Sequence, residues 1–376
     1  MSEPANQPSP GISRTSIYVA AGRAVGAREP DPSARNPDYL AEKLLGDPST
    51  LDLDHPAVRA LSLGYDDAMN DVEVVSTVRM MTVRTRFIDE ALERAIVGGA
   101  TQVVILGAGF DSHAYRSQEL LAHVRVFEVD RPATQALKKQ RVNEVLGGPP
   151  VNLTYAAIDF QHEALPDGLT RHGYDLAQRT FFILEGVTMY LPEEAVRSTF
   201  RFVAAHPPGS GIVFDFVYRA MIDMIARIDM ANVPEAAKAF VERFLKLTRH
   251  EPWVFGLPVG GEREFLGEFG LELREASTVG SEESLKRYLT KADGTQVGAQ
   301  AIAEAMARMA EPTRAAGQSA PEGQQMSPER MREQQRLMAY QLAEAVVARR
   351  GRSLGSAPLD TGAGEACGES SRSARP

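Results

Sequence analysis

Short β-type runs alternate with helical patterns through the middle of the chain, and this alternation constrains the fold more than any other feature of the sequence. Helical patterns follow most of the runs, as at Arg131–Leu146 and Pro192–Ala205. Alternation of this kind predicts an α/β fold with a mostly parallel sheet and helices on both faces. The nearly continuous apolar sequences VVIL and FFIL indicate central strands that are covered on both sides. The six runs are Gln102–Leu106, Arg125–Val129, Leu153–Ile158, Thr180–Leu184, Ile212–Val217 and Leu271–Ala276.

Polar, Gly-, Ser- and Pro-rich segments set the expected domain limits. They predict a disordered N-terminus over residues 1–12, one folded domain over 13–311, a linker over 312–326 and a disordered tail over 351–376. Within the domain, an extra helical segment at about 218–255 lies between the fifth and sixth runs. An insertion beyond the carboxyl ends of the strands is well placed to form a lid over a binding site.

A late amphipathic helix is predicted over 327–350. Ser327 followed by Pro328 is a good helix start, because the serine side chain can cap the first turn and proline fits there. Apolar residues then recur at about the helical period, among them Leu342 and Val346.

The charge balance bears on which partners the chain could bind. Lys and Arg number 41 against 50 Asp and Glu, which gives a formal net charge of -9. An acidic protein has no field that attracts phosphate backbones, so we expect no nucleic-acid partner. No stretch approaches the ~18 apolar residues that a membrane span needs, and the N-terminus has no apolar signal core, so we expect a cytoplasmic protein. The single cysteine, Cys367, excludes an internal disulfide framework, and the seven histidines show no metal-ligand spacing.

A glycine turn follows the first predicted strand. Gly107 and Gly109 permit a tight turn and the close approach of a ligand to the backbone, although a lone G-x-G is weak evidence. The second strand ends at Asp130, about where an acid holds ribose hydroxyls in nucleoside sites. The third glycine of the dinucleotide fingerprint is missing, because Ser112 stands there. A nucleoside without a pyrophosphate, such as S-adenosylmethionine, is therefore favoured over NAD.

Acids also end the next two predicted strands. Asp159 and Phe160 close the third strand, where a carboxylate could accept from an adenine amino group and a ring could pack on the base. Glu185 closes the fourth. With Asp130, these acids should meet at one edge of a parallel sheet, and their convergence favours a binding site over separate solvated loop acids.

Arg84 is anomalous because it lies on the apolar stripe of the helical pattern Val74–Val97, one turn from Met80 and Ile88. A buried guanidinium needs an anionic partner. The carboxylate of a bound methionine moiety would serve, and an internal salt bridge to Asp111 or another acid of the fold is the alternative.

Together these residues resemble the leucine carboxyl methyltransferase family, particularly its bacterial S-adenosylmethionine-dependent branch. The resemblance covers about residues 13–298. It implies a class I methyltransferase fold, a Rossmann-like seven-stranded mixed sheet whose last strands form an antiparallel hairpin. The motifs are RTRFID at 84–89, LGAGFDSHAYR at 106–116, FEVD at 127–130, AIDF at 157–160, EGVTMYL at 185–191 and YLTKADG at 288–294.

The resemblance also implies roles for single residues. Arg84 would meet the donor carboxylate, Gly107 would line the methionine part, Asp130 would hold the ribose, and Glu185 would lie beside the donor near its methyl group. Asp159 and Phe160 would contact the adenine. A basic residue near the N-terminus touches the carboxylate in the family, and we match it to Arg14, with Arg23 second. The family's more usual LGAGxDTRxYR departs here to Ser112 and His113, and its DL to Asp159-Phe160, which removes no carboxylate.

The predicted reaction is methylation of a carboxylate or phenol. The acceptor would be a small molecule, such as one of secondary metabolism, or a protein C-terminus. A carboxylate is ionised at neutral pH and needs no general base, whereas a phenol needs one. His113, Tyr190 and His206 are candidate bases by residue type alone, so no catalytic residue is assigned. Two alternatives stay open: an NAD-dependent oxidoreductase, and a protein that binds S-adenosylmethionine without turnover.

Overall fold

A computed structural model of the chain describes residues 13–51, 55–158, 163–233, 235–310, 336–337 and 339–348. The predicted disordered ends and the predicted linker lie outside these residues. So do Asp159 and Phe160, which were predicted to contact the adenine. Among the described residues, no helix is both long and apolar enough to cross a membrane.

The centre of the molecule is a seven-stranded sheet in the order β3-β2-β1-β4-β5-β7-β6. The first five strands pair in parallel, and β7 is antiparallel to both β5 and β6. This confirms the predicted fold class. The strands are β1 Gln102–Leu106, β2 Arg125–Asp130, β3 Leu153–Ala157, β4 Thr180–Leu184, β5 Gly211–Phe216, β6 Leu271–Thr278 and β7 Gln341–Val347.

Helices cover the sheet and precede it. The longest, α5, begins after Asp71, whose carboxylate caps the helix by accepting from the Glu73 N–H. The α-helices are α1 Arg14–Gly26, α2 Ala41–Leu45, α3 Pro56–Arg59, α4 Tyr65–Ala68, α5 Val72–Val97, α6 His113–Arg116, α7 Gln118–Leu121, α8 Pro132–Leu146, α9 Leu165–Arg171, α10 Glu193–Ala204, α11 Arg219–Ile225, α12 Glu235–His250, α13 Glu262–Gly267, α14 Glu282–Leu289 and α15 Ala299–Ala310. Short 3-10 turns are Pro48–Thr50, Ala60–Ser62, Thr188–Tyr190 and Met230–Asn232.

The hydrophobic core has two main layers, one on each face of the sheet. Successive strand residues point to opposite faces, so Val103 and Ile105 pack with α1 and α5 while Val104 and Leu106 pack with α10. All five residues of β1 are buried. The apolar run that predicted a central strand therefore reflects burial on both sides.

The late helix predicted over 327–350 is wrong in its described C-terminal part, because Gln341–Val347 forms strand β7. The segment consists mostly of helix-forming residues, and Leu342 and Val346 are one helical turn apart. Its position between β5 and β6 buries it on both faces, which removes the alternation that identifies most strands. Pairing with two neighbouring strands outweighs the local helix preference.

The implied antiparallel pairing of the last two strands is confirmed, although no tight turn joins them. β6 and β7 do pair antiparallel, from Leu271 with Val347 to Thr278 with Gln341. Residues 279–340 separate the two strands along the chain, so the pair closes through long-range contacts rather than through a tight turn.

Candidate active site

A cavity of about 1020 Å³ opens at the carboxyl ends of the parallel strands. The turn after β1, the end of β2 and the end of β4 line it through Gly107, Asp130 and Glu185. Parallel pairing brings these ends to one edge of the sheet, which is where ligands bind in open α/β folds. The volume is at the upper end of the roughly 300–1,000 Å³ typical of small-molecule sites.

The glycine turn after β1 depends on its glycines. Gly107 has a φ of 68°, and a Cβ there would lie 2.5 Å from Val187 Cγ2. Only glycine adopts this conformation without strain and leaves room for the valine. The N–H groups of Gly107 and Ala108 both donate to the Val129 carbonyl, at 2.8 and 3.0 Å, and fasten the turn to β2.

Asp130 connects the end of β2 to this turn. Its Oδ2 accepts from the Gly109 N–H at 2.6 Å, and its Oδ1 accepts from the Arg131 N–H at 2.7 Å. Burial raises the pKa of Asp130, although both N–H donors act in the opposite direction. An ionised carboxylate offers about four acceptor positions, so the two oxygens can each accept a further hydrogen bond from a ligand in the cavity.

A buried salt bridge between Lys138 of α8 and Glu128 of β2 lies next to the glycine turn. Lys138 Nζ lies 2.7 Å from Glu128 Oε1 and 3.3 Å from the Ala108 carbonyl. Burial raises the pKa of Glu128 to about 7, against the opposing effect of Lys138. Lys138 thus contacts both the glycine turn and β2, and stabilises their packing against each other.

Arg84 lies on the cavity wall with its side chain almost fully buried. Nη2 is 2.7 Å from Glu185 Oε1, and Nη1 is 2.9 Å from Asp215 Oδ2. Burial opposes the charge on Arg84, but these two carboxylates raise its pKa above the usual value. The internal salt bridge left open by the sequence is therefore present, with Glu185 and Asp215 rather than Asp111. The Nε of Arg84 is buried and has no hydrogen-bond partner among the described residues.

Arg23, the second match for the N-terminal basic residue, lines the cavity. Its Nε is 2.8 Å from Asp38, its Nη1 is 3.3 Å from Glu185, and its Nη2 donates to the Phe110 carbonyl at 2.8 Å. Arg14, the first match, is not among the residues that line the cavity. Helix α1 places these two arginines on different sides, because nine positions are two and a half turns of helix.

The inserted segment contains α11 and α12 and contributes another wall of the cavity. Met221, Ile225 and Phe244 lie on this wall. Glu251, just after α12, caps the first turn of α1: its carboxylate accepts from the Ser13 hydroxyl at 3.1 Å, the Arg14 N–H at 2.9 Å, the Thr15 N–H at 3.3 Å and the Thr15 hydroxyl. The insertion and the N-terminal helix are thereby joined at the cavity. That the insertion moves as a lid stays a prediction.

Comparison with known proteins identifies the family. The model of the leucine carboxyl methyltransferase family matches residues 16–204. The chain belongs to this family.

Two of the curated relatives are named "Putative S-adenosyl-L-methionine-dependent methyltransferase". The one from Bacillus subtilis, with YktD added to its name, is 32% identical over 216 residues, which is 54% of this chain and 70% of the relative. The one from Mycobacterium avium is 32% identical over 245 residues, which is 61% of this chain and 73% of the relative. The predicted family and the predicted enzyme class, a methyltransferase, are confirmed.

Of the candidate bases in this methyltransferase, only Tyr190 lines the cavity. His113 is buried, with Nδ1 2.7 Å from Asp111 Oδ2 and Nε2 3.0 Å from Asp89 Oδ1. Burial would lower its pKa, but the Asp111 charge raises the pKa of His113 to about 9. A histidine held charged between two acids stabilises the fold and is a poor base. His206 is buried away from the cavity, where it bonds the Tyr174 hydroxyl.

Ligand atoms of Asp111, His113 and Glu185 lie within 4.8 Å of one another, a spacing that could hold a metal ion. Asp111 and His113 are paired with each other, and Glu185 is paired with Arg23 and Arg84. We therefore assign no metal there.

The sequence analysis assigned no role to four residues in or next to the cavity. Asp215 lies inside the buried strand β5, and the sequence analysis gave it no role. Tyr340 falls in the segment that was predicted to be helical. His250 ends α12 and Glu251 follows it, and the sequence placed this helix only approximately. Their roles depend on elements that meet across long stretches of chain, so only Asp215, a buried acid between apolar residues, offered a local clue.

Proposed function

We propose that this methyltransferase transfers the methyl group of S-adenosylmethionine to an oxygen atom of a small molecule, with a carboxylate as the preferred acceptor. The observation that carries the proposal is one continuous cavity with two unlike ends. One end has the glycine turn and the acids of the strand ends, and the other has the apolar wall of the insertion. Such a cavity has room for a donor and an acceptor side by side.

The donor is S-adenosylmethionine, the cofactor for which the relatives are named. We assign the ribose hydroxyls to Asp130 and the methionine part to the backbone of Gly107 and Gly109. The free acceptor positions of Asp130 and the unpaired Nε of Arg84 fit such a ligand. The adenine contacts predicted for Asp159 and Phe160 stay predictions.

The charges around Arg84 favour a zwitterionic amino acid over a simple anion. Arg23 and Arg84 face the three acids Asp38, Glu185 and Asp215, so the group carries one more negative than positive charge when all are ionised. A lone carboxylate would enter this field unfavourably. The methionine moiety carries an ammonium beside its carboxylate. Both arginines contact Glu185 through its Oε1, so Oε2 can accept from the ammonium. In this role we prefer Arg23 to Arg14, because it lines the cavity.

Bound S-adenosylmethionine supplies a methyl group that is already activated on a positively charged sulfur. The protein's part is to orient the acceptor oxygen and keep water away. A carboxylate is deprotonated at neutral pH and needs no base from the cavity. A phenol would need one, and among the cavity residues His250 is the histidine best placed to serve, since His55 accepts from the Ala57 N–H and stacks on Tyr18.

Calorimetric titration with S-adenosylmethionine and with NAD tests the donor. We expect binding of S-adenosylmethionine alone, lost in Asp130→Asn and retained in Asp167→Asn, an exposed acid on α9 that does not line the cavity. Binding of NAD without any response to the methyl donor would refute the proposal.

Transfer from an isotopically labelled donor to small molecules of a cell extract tests the acceptor. Label released by mild alkali indicates a methyl ester, whereas an aryl ether keeps its label. We expect alkali-labile label and little effect of His250→Gln. Alkali-stable label that depends on His250 would favour a phenol instead, and no transfer at all would favour a binding protein without turnover.

A further inference from the structure

The cavity has a continuous aromatic wall that the proposed donor site does not use. Phe240 and Phe244 on α12 are stacked, with ring centroids 6.3 Å apart and planes at 8°. Phe244 then meets Trp253 edge to face at 5.6 Å, and Trp253 meets Tyr340 edge to face at 5.6 Å. All four rings line the cavity.

The wall runs from the surface to the interior. The Phe240 side chain is half exposed, while Trp253 is buried with 9% of its surface accessible. Tyr340 lines the cavity together with the buried Arg84. An acceptor that follows the rings inward would thus arrive beside the group where the donor is proposed to bind.

The chemistry of the wall selects for rings. Edge-to-face contacts between aromatic rings contribute free energy beyond that of the buried area alone. Methionine sulfur also makes favourable contacts with rings, and Met80, Met81, Met189 and Met221 line the same cavity. An alkyl chain would gain only the area term from these side chains.

The inner end of the wall offers polar groups for an oxygen. The Tyr340 hydroxyl makes no hydrogen bond to another described residue, and Tyr190 also lines the cavity. Burial raises the pKa of both phenols, so both stay protonated and able to donate. A donated hydrogen bond would orient an acidic oxygen without removing its charge.

We propose that the acceptor is an aromatic acid, whose ring lies against Phe244 and Trp253 and whose acidic oxygen points toward Tyr340. This inference rests on the proposed function, since it names the acceptor class of the same site.

The test compares two carboxylic acids with the same number of carbon atoms, 3-phenylpropanoate and nonanoate. Each is titrated into the protein saturated with S-adenosylhomocysteine, with calorimetry for affinity. Trp253 is the only tryptophan of the chain, so its fluorescence reports binding at the wall. We expect 3-phenylpropanoate to bind roughly five- to tenfold more tightly and to change the Trp253 emission. An apolar cavity without ring selectivity would instead favour nonanoate, the more hydrophobic acid.

Two variants locate the preference. Phe244→Leu keeps an apolar side chain but removes a ring, and it should abolish the preference for 3-phenylpropanoate while nonanoate affinity changes little. Leu247→Met alters the same helix and the same cavity without removing a ring, and it should retain the preference. Tyr340→Phe should weaken 3-phenylpropanoate binding while leaving the ring contact.

Equal or tighter binding of nonanoate, binding of neither acid, or an unchanged preference in Phe244→Leu would overturn the inference. The same experiment distinguishes failure of the acceptor class from failure of the proposed function. If S-adenosylhomocysteine itself fails to bind, the proposed function fails. If it binds and the ring preference is missing, only the acceptor class is wrong.

Discussion

Replacing Gly107 by alanine separates two costs that the structure predicts for this turn. The first is conformational: at a φ of 68° an alanine is in the left-handed region, which costs about 1–2 kcal/mol. The second is steric, because the new Cβ would lie 2.5 Å from Val187 Cγ2. Overpacking of this kind costs typically about 1–3 kcal/mol. We therefore expect Gly107→Ala to lower the unfolding free energy by about 2–5 kcal/mol.

Gly147 provides a matched control for the conformational cost alone. It ends α8 with a φ of 75°, and a Cβ there would meet nothing within 4 Å. Gly147→Ala should therefore cost only about 1–2 kcal/mol. Denaturant unfolding followed by circular dichroism measures both changes, and calorimetry measures the affinity for S-adenosylmethionine, which only Gly107→Ala should weaken.

A double mutant tests the steric contact directly. Val187→Ala removes the methyl group that the new Cβ would meet, so Gly107→Ala should be less harmful in the Val187→Ala background by about 1–3 kcal/mol. Equal destabilisation by Gly107→Ala and Gly147→Ala, together with no coupling to position 187, would refute the packing argument.

Glu251→Gln should weaken the contact between the insertion and the first turn of α1 by about 1–2 kcal/mol of free energy, because the charged acceptor at the helix start becomes neutral. Hydrogen exchange of the first-turn amides of α1 should then accelerate roughly 5–30-fold, whereas Glu242→Gln, an exposed acid on α12, should leave it unchanged. His113 stabilises the fold fully below its ordinary pKa of about 6.5, and this stabilisation is lost as pH rises through its folded pKa of about 9. Wild type should therefore lose up to about 3 kcal/mol more than His113→Asn between pH 6.5 and 9.5 in denaturant unfolding. Parallel pH curves would show that the charge on His113 does not contribute.

Local sequence patterns were sufficient for the parallel half of the fold and for three residues that line the cavity. Short β-type runs alternating with helical patterns predicted β1 to β5 to within about a residue. The clearest runs are β1, β4 and β5, because these strands are buried along their whole length and need apolar residues on both faces. Gly107, Asp130 and Glu185 follow or end predicted strands, and a parallel sheet brings those strand ends to one edge, where all three residues line the cavity.

Tertiary structure decided what depends on residues far apart in the chain. Gln341–Val347 is a strand because two neighbours supply its hydrogen bonds and cover both its faces, although its residues favour a helix. Arg84 is an internal ion-pair partner because β5 places Asp215 beside it. Arg23 rather than Arg14 faces the cavity because the packing of α1 against α5 sets the rotation of that helix. The aromatic wall assembles from α12, Trp253 and Tyr340, the residue before β7. Burial and contact of this kind arise only when distant segments pack, and no local pattern encodes them.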